Sequence, residues 1–494
     1  MPSSLKVYNT LSASLETFTP INPPFIGLYL CGPTVYGYPH LGHSRGPIVF
    51  DVIHRYLLHL GYKVRFVRNI TDVGHLVNDA DDGEDKIAKR ALIEQLEPME
   101  IAQHYTDSYH LNIYKLNVIR PSIEPRASGH IIEQIEMIKQ IIDNSWAYEV
   151  NGSVYFDVLK YAETHDYGKL SGRILEDLKA GAGEERRELE GQDEKRNPND
   201  FALWKKASPE HIMQWPSPWG QGFPGWHIEC SAMSAKYLGK VFDIHGGGMD
   251  LLFPHHESEI AQSTACNSIN PAKYWIHHNM VTINGQKMAK SLNNGVMLSE
   301  LFEGSHPLLD QAYSPMTLRF FILQAHYRGT LDFSNEALKA AEKGMHRLMN
   351  AIGLLDHLNA GETTDFDVNA LKESIYNALN EDFNTPIAIS HLFEAATWIN
   401  KINDGNARIN SADLETLGSL LNTIVFDVLG LLNEQTVSNH NQVDSLMQLL
   451  INLRHEAKEQ KDYKKADDIR HKLLEAGFEI KDGKDGTTYS SIKQ

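Results

Sequence analysis

The sequence predicts an α/β protein in which a parallel sheet is interrupted by an insertion and followed by a helical region and a small C-terminal α+β element. Three observations predict this order. A strand, a loop, a helix and a second strand follow one another in residues 26–71. Apolar strand-like segments return at residues 240–244 and 276–283. From residue 334 to residue 432 the pattern is helical, with few turn residues.

The first predicted unit is a βαβ crossover. The apolar run Ile26–Cys31 predicts a strand, the amphipathic stretch His43–Leu60 a helix, and the alternation in Lys63–Thr71 a second strand. A helix between two strands implies a right-handed crossover in a parallel sheet, as in a Rossmann-like domain. Such sheets bind ligands at the carboxyl ends of their strands, so Cys31 and Thr71 lie where a site is expected.

The remaining segments predict the domain organisation. We predict a Rossmann-like catalytic domain in two halves, a connective insertion, a helical bundle and a C-terminal element, at residues 1–120 and 200–333, 121–199, 334–433 and 442–494, respectively.

Local features are predicted within these domains. From about Glu84 to Asp200 the pattern is mostly helical, with one strand-like piece at Gly152–Phe156, and the charged, glycine-containing stretch Gly181–Asp200 predicts an exposed loop. The polar run Asn433–Asn441 is typical of a linker. The tail beyond it predicts two helices, Val443–Tyr463 and Lys464–Ala476, and a β element around Phe478–Tyr489.

Composition is that of a globular protein with several modules. Apolar residues make up 42% and charged residues 22% of the 494 residues. We expect a cytoplasmic protein without a membrane partner, because no stretch approaches the ~20 apolar residues of a membrane span and the N-terminus lacks a signal-peptide pattern. Three scattered cysteines do not predict a disulfide framework. The net charge of −18 argues weakly against a nucleic-acid partner, but local patches decide where a phosphate backbone binds.

Two histidines mark the start of the first helix. His40-Leu41-Gly42-His43 places two imidazoles beside the free N–H groups and positive dipole of a helix N-terminus, which favours binding of an anion such as a phosphate. Alone, the pattern is equally compatible with two surface or core histidines.

A lysine motif follows the later strand. In Lys287-Met288-Ala289-Lys290-Ser291, two lysines supply positive charge that can close over a triphosphate and stabilise the leaving pyrophosphate. A lone Lys-x-x-Lys is usually a solvated surface pair. Coming after His-x-Gly-His, it resembles the HIGH and KMSKS pair of class I aminoacyl-tRNA synthetases, from which Ala289 departs at a position that is commonly serine.

A third set of residues has the character of metal ligands. Cys31 ends the first strand, Cys230 lies in a separate segment, and His255 and Glu259 stand four apart, so that on a helix they share one face. Two thiolates, an imidazole and a carboxylate suit Zn²⁺. Buried free cysteines are common, so from the residues alone a structural role stays open.

Four motifs together resemble the cysteinyl-tRNA synthetases. They are Cys-Gly-Pro-Thr-Val-Tyr before His-x-Gly-His, Gly-Trp-His-Ile-Glu-Cys-Ser, Gly-Gly-Gly-Met-Asp-Leu-Leu-Phe-Pro-His-His-Glu-Ser-Glu, and Lys-Met-Ala-Lys-Ser-Leu. Glu381–Pro386 resembles a segment of the family's helical domain, and Lys461–Arg470 a segment of its C-terminal element. The resemblance covers nearly the whole chain.

The resemblance implies a role for each candidate site residue. The implied zinc ligands are Cys31, Cys230, His255 and Glu259. Trp226, Thr71 and His245 are implied to line the cysteine pocket, the last two near the amino or carboxylate group. His40 and His43 are implied to bind ATP phosphates, Asp250 the ribose or the amino group, and Lys287 and Lys290 to act in catalysis, with Lys290 on the phosphates in the transition state. The family pattern does not make His256 or Glu257 ligands, and Cys266 is assigned a structural role.

The function implied is ATP-dependent joining of L-cysteine to tRNA(Cys) through a cysteinyl-adenylate, with zinc selecting the thiolate and Mg²⁺ accompanying ATP. Two alternatives are a cysteine ligase of the same fold acting on an amino sugar, and a non-catalytic tRNA-binding paralogue. Residues 334–494 argue against the first, and intact His40, His43, Lys287 and Lys290 against the second.

The C-terminal element is implied to recognise the anticodon. Residues 454–472 hold seven Lys/Arg against five Asp/Glu, a slight basic excess that is equally typical of a solvated helix face. The resemblance favours a monomer.

Overall fold

The computed structural model describes residues 4–73, 87, 90–91, 97–173, 194–209, 211–288, 294–483 and 486–491. The chain forms two compact units, residues 1–431 and 432–494. No helix in the described part of the chain combines the length and apolarity that crossing a bilayer requires.

Strands and helices alternate through the first unit before helices take over. The strands are β1 (Lys6–Asn9), β2 (Ser14–Thr17), β3 (Phe25–Leu30), β4 (Lys63–Arg68), β5 (Ala147–Val150), β6 (Ser153–Phe156), β7 (Phe201–Lys206), β8 (Trp215–Ser217), β9 (Gly220–Pro224), β10 (Phe242–Gly248), β11 (Ala272–His278), β12 (Val281–Ile283), β13 (Gln286–Lys287), β14 (Leu331–Phe333), β15 (Phe478–Gly483) and β16 (Gly486–Ser491). The helices are α1 (Gly42–His59), α2 (Pro98–Lys115), α3 (Ile131–Asp143), α4 (Val158–Ala162), α5 (Trp226–Leu238), α6 (Glu257–Asn267), α7 (Leu298–Glu303), α8 (Pro315–Leu323), α9 (Asn335–Leu354), α10 (Val368–Asn380), α11 (Thr385–Asn403), α12 (Ser411–Leu421), α13 (Glu434–Glu459) and α14 (Tyr463–Glu475).

A four-stranded parallel sheet forms the centre of the first unit. Its order is β11-β10-β3-β4, and β3, α1 and β4 form the predicted βαβ crossover. The predicted α/β class is therefore confirmed. The strands are largely buried, as expected of a parallel sheet covered on both faces. The apolar segment predicted at residues 276–283 is two strands, because β11 ends at His278 and β12 joins a second sheet with β13 and β14.

Helix α1 lies very close to the central sheet. A Cβ atom on Gly246 of β10 would lie 2.1 Å from Cζ of Phe50, which is fully buried on α1. Only glycine therefore allows the ring of Phe50 to rest on the strand backbone.

An antiparallel sheet of order β5-β6-β7-β9-β8 corrects one prediction. Residues 84–200 were expected to hold a single strand-like piece, but β5 and β6 form a hairpin there. Its turn is Asn151-Gly152, with φ of 52° and 88°, and Asn-Gly is a strong hairpin signal. The four-residue strands are too short to show a clear alternation. Most of the predicted loop at 181–200 lies outside the described residues.

The helical region shares a core with the sheet domain. Leu338 and Met345 on α9 and Leu392 on α11 belong to the same buried cluster as Ile48 and Ile53 on α1. Close packing within this cluster fixes the helical region against the helix that begins at the histidine motif.

The tail is a helical pair with a β-hairpin. Helices α13 and α14 and strands β15 and β16 enclose a small core of Met447, Ile451, Leu473 and Ile480. The prediction of a linker at residues 433–441 was wrong, because α13 begins at Glu434. The run is polar but contains neither glycine nor proline, so nothing in it stops a helix.

Candidate active site

A cleft of about 410 Å³ opens at the carboxyl ends of β3 and β10. Residues predicted for two different tasks line it together: Cys31, Trp226, His40, His43, Asp250 and Lys287. The predicted metal and nucleotide residues therefore share one cavity, which is the position expected for a site in an open parallel sheet.

The four predicted metal ligands come from three elements. Cys31 directly follows β3, where its N–H donates to the carbonyl of Gly246 on the neighbouring strand at 3.1 Å. Cys230 lies on the second turn of α5. His255 precedes α6, and Glu259 lies on its first turn. The sheet edge and two helices thus bring together residues more than two hundred positions apart.

These four residues form the metal group. Their donor atoms all lie within 4.8 Å of one another. The Sγ atoms of Cys31 and Cys230 are 3.7 Å apart, Cys31 Sγ is 3.7 Å from Glu259 Oε1, and His255 Nε2 is 3.2 Å from the same oxygen. Cys230, His255 and Glu259 are each only 1% exposed. This spacing allows one metal ion to contact all four residues.

Two further histidines hold the outward atoms of the metal group. His227 Nδ1 lies 3.0 Å from Nδ1 of His255, and His245 Nε2 lies 2.9 Å from Oε2 of Glu259. Each contact engages the atom that faces away from the cysteines, leaving His255 Nε2 and Glu259 Oε1 toward them. Outer partners of this kind fix the orientation of metal ligands.

Burial and charge together shift the pKa values of the metal group. Burial raises the pKa of Cys230, but the hydrogen bond with Cys31 and the neighbouring His255 outweigh it and bring that pKa to about 6. Burial also raises the pKa of Glu259, yet the imidazoles of His245 and His255 lower it to about 2. Burial lowers the pKa of His255, while Cys230 and Glu259 raise it to about 10. Burial, and then Cys230, raise the pKa of Cys31 well above its ordinary value. The charged members of the group are therefore the Cys230 thiolate, the Glu259 carboxylate and the His255 imidazolium, which stabilise one another.

A second donor group overlaps the first. Cys31, His245, His256 and Glu259 also bring their donor atoms within 4.8 Å. His256 Nε2 lies 3.3 Å from Cys31 Sγ, and its Nδ1 lies 2.7 Å from Nε2 of His277. His256 was not predicted to be a ligand, since the resemblance assigned that role to the histidine before it. Its contact with Cys31 depends on the approach of β3 to the turn before α6.

The predicted cysteine-pocket residues lie at different depths. Trp226 lines the cleft, and its ring centroid is 4.4 Å from that of His255. His245 is fully buried and stacks on Trp275 at 4.4 Å, so it supports Glu259 from behind. Thr71, 1% exposed, joins its backbone N–H to the carbonyl of Pro33 at 3.1 Å.

The Thr71 hydroxyl is held by two buried neighbours that sequence reasoning missed. It donates to Glu229 Oε2 at 2.9 Å and accepts from Asn69 Nδ2 at 3.1 Å. Burial and the nearby Cys230 raise the pKa of Glu229 well above its ordinary value. Glu229 directly precedes Cys230, which was the available signal for it.

The histidine pair, His40 and His43, lies at the N-terminus of α1. The ring centroids are 3.8 Å apart. The backbone N–H of Gly42 donates to His40 Nδ1 at 3.1 Å, and that of His40 donates to His43 Nδ1 at 3.0 Å. Because each Nδ1 accepts, each neutral ring carries its proton on Nε2. Burial and the neighbouring His40 lower the pKa of His43 to about 3. The pair therefore offers neutral N–H donors to an anion.

The other predicted nucleotide residues are open to solvent. Asp250 and Lys287 are both exposed and line the cleft. Lys287 ends β13, and Met288 beside it approaches Gly42, where an added Cβ would lie 2.7 Å from the methionine methyl carbon. The lysine motif and the histidine motif therefore meet across the cleft. Lys290 lies outside the described residues.

Comparison with known proteins identifies the family. Residues 17–343 match the class I (C) tRNA synthetase catalytic domain, and residues 374–433 match the DALR domain. A cysteine–tRNA ligase of Bacteroides fragilis is 58% identical over 488 residues, covering 98% of this chain and 99% of that protein. The chain belongs to the cysteine–tRNA ligase family. Members from Porphyromonas gingivalis and Chlorobaculum tepidum are 57% and 46% identical, each covering 99% of this chain and 99% and 100% of the relative.

Solved structures with low identity share the fold of this cysteine–tRNA ligase family member. Methionyl-tRNA synthetase of Mycobacterium tuberculosis, bound to methionyl-adenylate, superposes with a TM-score of 0.54 at 14% identity, covering 82% of this chain and 90% of that one. A leucyl enzyme of Agrobacterium radiobacter in complex with tRNA gives 0.56 at 12% identity, covering 83% and 85%. The fold is thus that of class I synthetases.

Proposed function

We propose that this chain attaches cysteine to tRNA(Cys) in two steps within the cleft, the first of which consumes ATP. The cysteine carboxylate attacks the α-phosphate of ATP in line, giving cysteinyl-adenylate and pyrophosphate. The terminal ribose hydroxyl of tRNA then attacks the adenylate carbonyl and releases AMP. The observation that carries the proposal is one cavity lined by both Cys31 of the metal group and the histidine pair. Full-length similarity to cysteine–tRNA ligases supports the same reaction.

The metal group fits a zinc ion. Its two thiols, imidazole and carboxylate are ordinary zinc donors that would hold the ion, and a catalytic zinc can accept a further, fifth ligand. The outward atoms of His255 and Glu259 are engaged by His227 and His245, as for ligands whose other atom faces a metal. When bound, zinc supplies a centre that prefers a thiolate sulfur to a hydroxyl oxygen, which distinguishes cysteine from serine. The second donor group has one thiol and suits zinc less well.

The pocket residues hold the amino acid around this group. The flat ring of Trp226 covers the cleft beside His255. Since the Thr71 hydroxyl already donates to Glu229, its free lone pair is available to accept from the substrate ammonium. Asp250 is positioned on the cleft to bind either the ribose or the amino group. A hydrophobic pocket alone separates analogues weakly, whereas a site built on one polar or metal contact separates them by about 10⁴ or more.

The nucleotide residues stabilise charge rather than form bonds. The Nε2–H groups of His40 and His43 donate to ATP phosphates, and Lys287 and Lys290 neutralise the pyrophosphate as it leaves. Mg²⁺ accompanies ATP in this scheme. No protein nucleophile takes part, so the rate depends on holding the carboxylate and the α-phosphate in line.

Cysteine-dependent pyrophosphate exchange, together with elemental analysis, tests the proposal. We expect about one zinc per chain and exchange that requires cysteine and is not supported by serine. Charging of tRNA(Cys) is the second readout. Exchange without cysteine, or charging of another tRNA, would contradict the assignment.

The domain assignment forms part of the proposal. We assign residues 1–120 and 200–333 to catalysis, 121–199 to a connective insertion, 334–433 to tRNA binding and 442–494 to the anticodon. A DALR match at residues 374–433 and a separate compact unit at 432–494 support the last two. We assign the protein to the cytoplasm as a monomer.

Deleting Val443–Gln494 tests this division of labour. The core of the tail consists of its own residues, so the truncation removes none of the residues that form the core of the sheet domain. We expect pyrophosphate exchange within about twofold of the full chain and charging of tRNA(Cys) reduced more than about 100-fold, because specific contacts to a nucleic acid are worth several kcal/mol more than non-specific ones. A soluble truncated protein that loses exchange would show that the tail takes part in adenylation.

A further inference from the structure

The segment Glu381–Pro386 has no part in the function described so far. It joins α10, which ends at Asn380, to α11, which begins at Thr385. Asp382 and Phe383 both adopt left-handed backbone conformations, with φ of 60° and 53°. Such conformations are costly for residues other than glycine and persist where the surroundings hold them in place. The contacts that hold Asp382 and Phe383 in this conformation therefore indicate what the segment does.

The Asp382 carboxylate is a buried acceptor for three donors. Tyr327 donates its hydroxyl to Oδ1 at 2.6 Å, and Arg328 donates Nε–H to Oδ2 at 2.7 Å. The backbone N–H of Tyr8, at the start of the chain, donates to Oδ1 at 2.8 Å. The residue is 2% exposed. A buried carboxylate with this many donors fixes the segments that carry them.

The loop held by Asp382 is bonded to one wall of the cleft. Asn279 lines the cleft, and its backbone N–H donates to the carbonyl of Tyr327 at 2.8 Å. The side-chain amide of Asn279 donates to the carbonyl of Arg328 at 3.0 Å. From Asn279 the chain continues through β12 and β13 to Lys287. A displaced loop would therefore move the strand that carries the lysine motif.

Arg45 ties the same loop to the histidine motif. It lies two residues after His43 on α1 and is 1% exposed. Its guanidinium donates to the carbonyls of Met280 and Gly329, each at 2.5 Å. The histidine helix, the cleft wall and the loop at 326–329 thus form one hydrogen-bonded set, and Asp382 is its contact with the helical region.

We propose that Asp382 is a positioning residue for adenylate formation. It holds the loop at 326–329, and through Asn279 that loop sets the cleft wall from which the lysine motif extends. The inference rests on the proposed function. Asp382 touches no reacting group and lies within the DALR match, outside the part of the chain matched by the catalytic domain. A residue of the helical region therefore acts on the chemical step.

Asp382→Asn in the full-length protein is the first test. The amide keeps the shape but has one acceptor oxygen, so either Arg328 or the pair Tyr327 and Tyr8 loses its acceptor and meets an N–H group instead. We expect kcat of pyrophosphate exchange to fall between about 10- and 100-fold, since a misplacement near 1 Å is worth that much. The KM for cysteine and the zinc content should stay within about twofold.

Two further variants keep the test decisive. Asp365→Asn removes an exposed partner of Arg408 elsewhere in the helical region and should leave kcat unchanged. Tyr327→Phe removes one donor to Asp382 and should lower kcat less, in the same direction, even if Asp382→Asn fails to fold. A purely structural role would lower the melting temperature while kcat per zinc-loaded molecule stayed at the wild-type value, and that result would overturn the proposal. Unchanged kcat with a raised KM for cysteine would also overturn it. Failed exchange in the wild-type protein would instead contradict the proposed function.

Discussion

The metal group and the histidine pair line one cleft but are built differently. Cys230, His255 and Glu259 are nearly inaccessible, and neighbouring histidines hold the outward atoms of the last two. His40 and His43 are half-buried and open toward an exposed lysine strand. In the proposed function, the metal group distinguishes a thiolate from a hydroxyl. This requires metal donors that are held in fixed positions away from water, because mobile donors would let either group bind. Binding a triphosphate requires access, because ATP must enter and pyrophosphate must leave.

Removing one proposed ligand from the metal group should have the largest effect on activity. Cys230→Ser replaces a thiolate with a much weaker ligand, leaving three donors to hold the ion against water. We expect zinc to be lost and cysteine activation to fall more than about 100-fold, because outer partners alone are worth 10–100-fold. No useful activity toward serine should appear. Elemental analysis and pyrophosphate exchange on the purified variant measure both.

Cys266→Ser is the matched control, because Cys266 is buried away from the metal group and packs against α3. It should retain zinc and activity. A full zinc complement in Cys230→Ser with activation preserved would contradict the ligand assignment. Zinc retained with activation lost would point to the second donor group, which includes His256.

A change in the lysine motif should lower the rate of adenylation more than it weakens substrate binding. We propose that Lys290 contacts the phosphates mainly in the transition state, so for Lys290→Ala we expect kcat for adenylation to fall about 100-fold and cysteine affinity to change little. Lys139→Ala, on an exposed ion pair with Glu136, serves as the control. Comparable losses in kcat and in cysteine affinity would mark Lys290 as a binding or structural lysine.

The smallest expected effect concerns acid stability. His43 has a pKa of about 3 when folded because burial, and then His40, disfavour its charge, whereas its ordinary value is 6.5. Between pH 3 and pH 6.5, His43 is protonated in the unfolded chain and neutral in the folded chain. This contribution is therefore fully present above pH 6.5 and is lost as the pH falls toward 3.

His43→Gln should remove that pH dependence. Comparing the free energy of unfolding at pH 7.5 and pH 5, we expect the variant to lose less stability than the wild type, by a difference on the order of 1 kcal/mol because the ring is partly accessible to solvent. His391→Gln, which changes a partly exposed histidine beside Glu394, is the control. An equal loss in both proteins would show that His43 does not resist protonation.

The order of the central strands and the grouping of several candidate site residues could be predicted from the sequence, whereas their roles stay predictions. Cys31 and Thr71 follow strands of a predicted crossover, and parallel topology fixes which strand ends carry a site. His255 and Glu259 were paired by helical spacing, and their side chains do meet. These predictions succeeded because local periodicity and chain order determine them.

The contacts of His256 and Asp382 could not be predicted from the sequence in this way. His256 reaches Cys31, and Asp382 reaches Tyr327 and Tyr8, through approaches between segments far apart in the chain. Spacing along the sequence carries no information about such contacts. The missed hairpin at Asn151-Gly152 differs, because its turn signal was present and was outweighed by the helical pattern around it.

The contact between Gly246 and Phe50 sets the distance between two sides of the cleft. The strand bearing Gly246 leads to Asp250, and the helix bearing Phe50 begins at the histidine motif. With no side chain between them, the ring and the backbone set the separation of these two motifs as a rigid spacer sets a gap. A methyl group added at Gly246 would widen that gap, so the distance between the proposed amino-acid and phosphate sites depends on the absence of a side chain at this position.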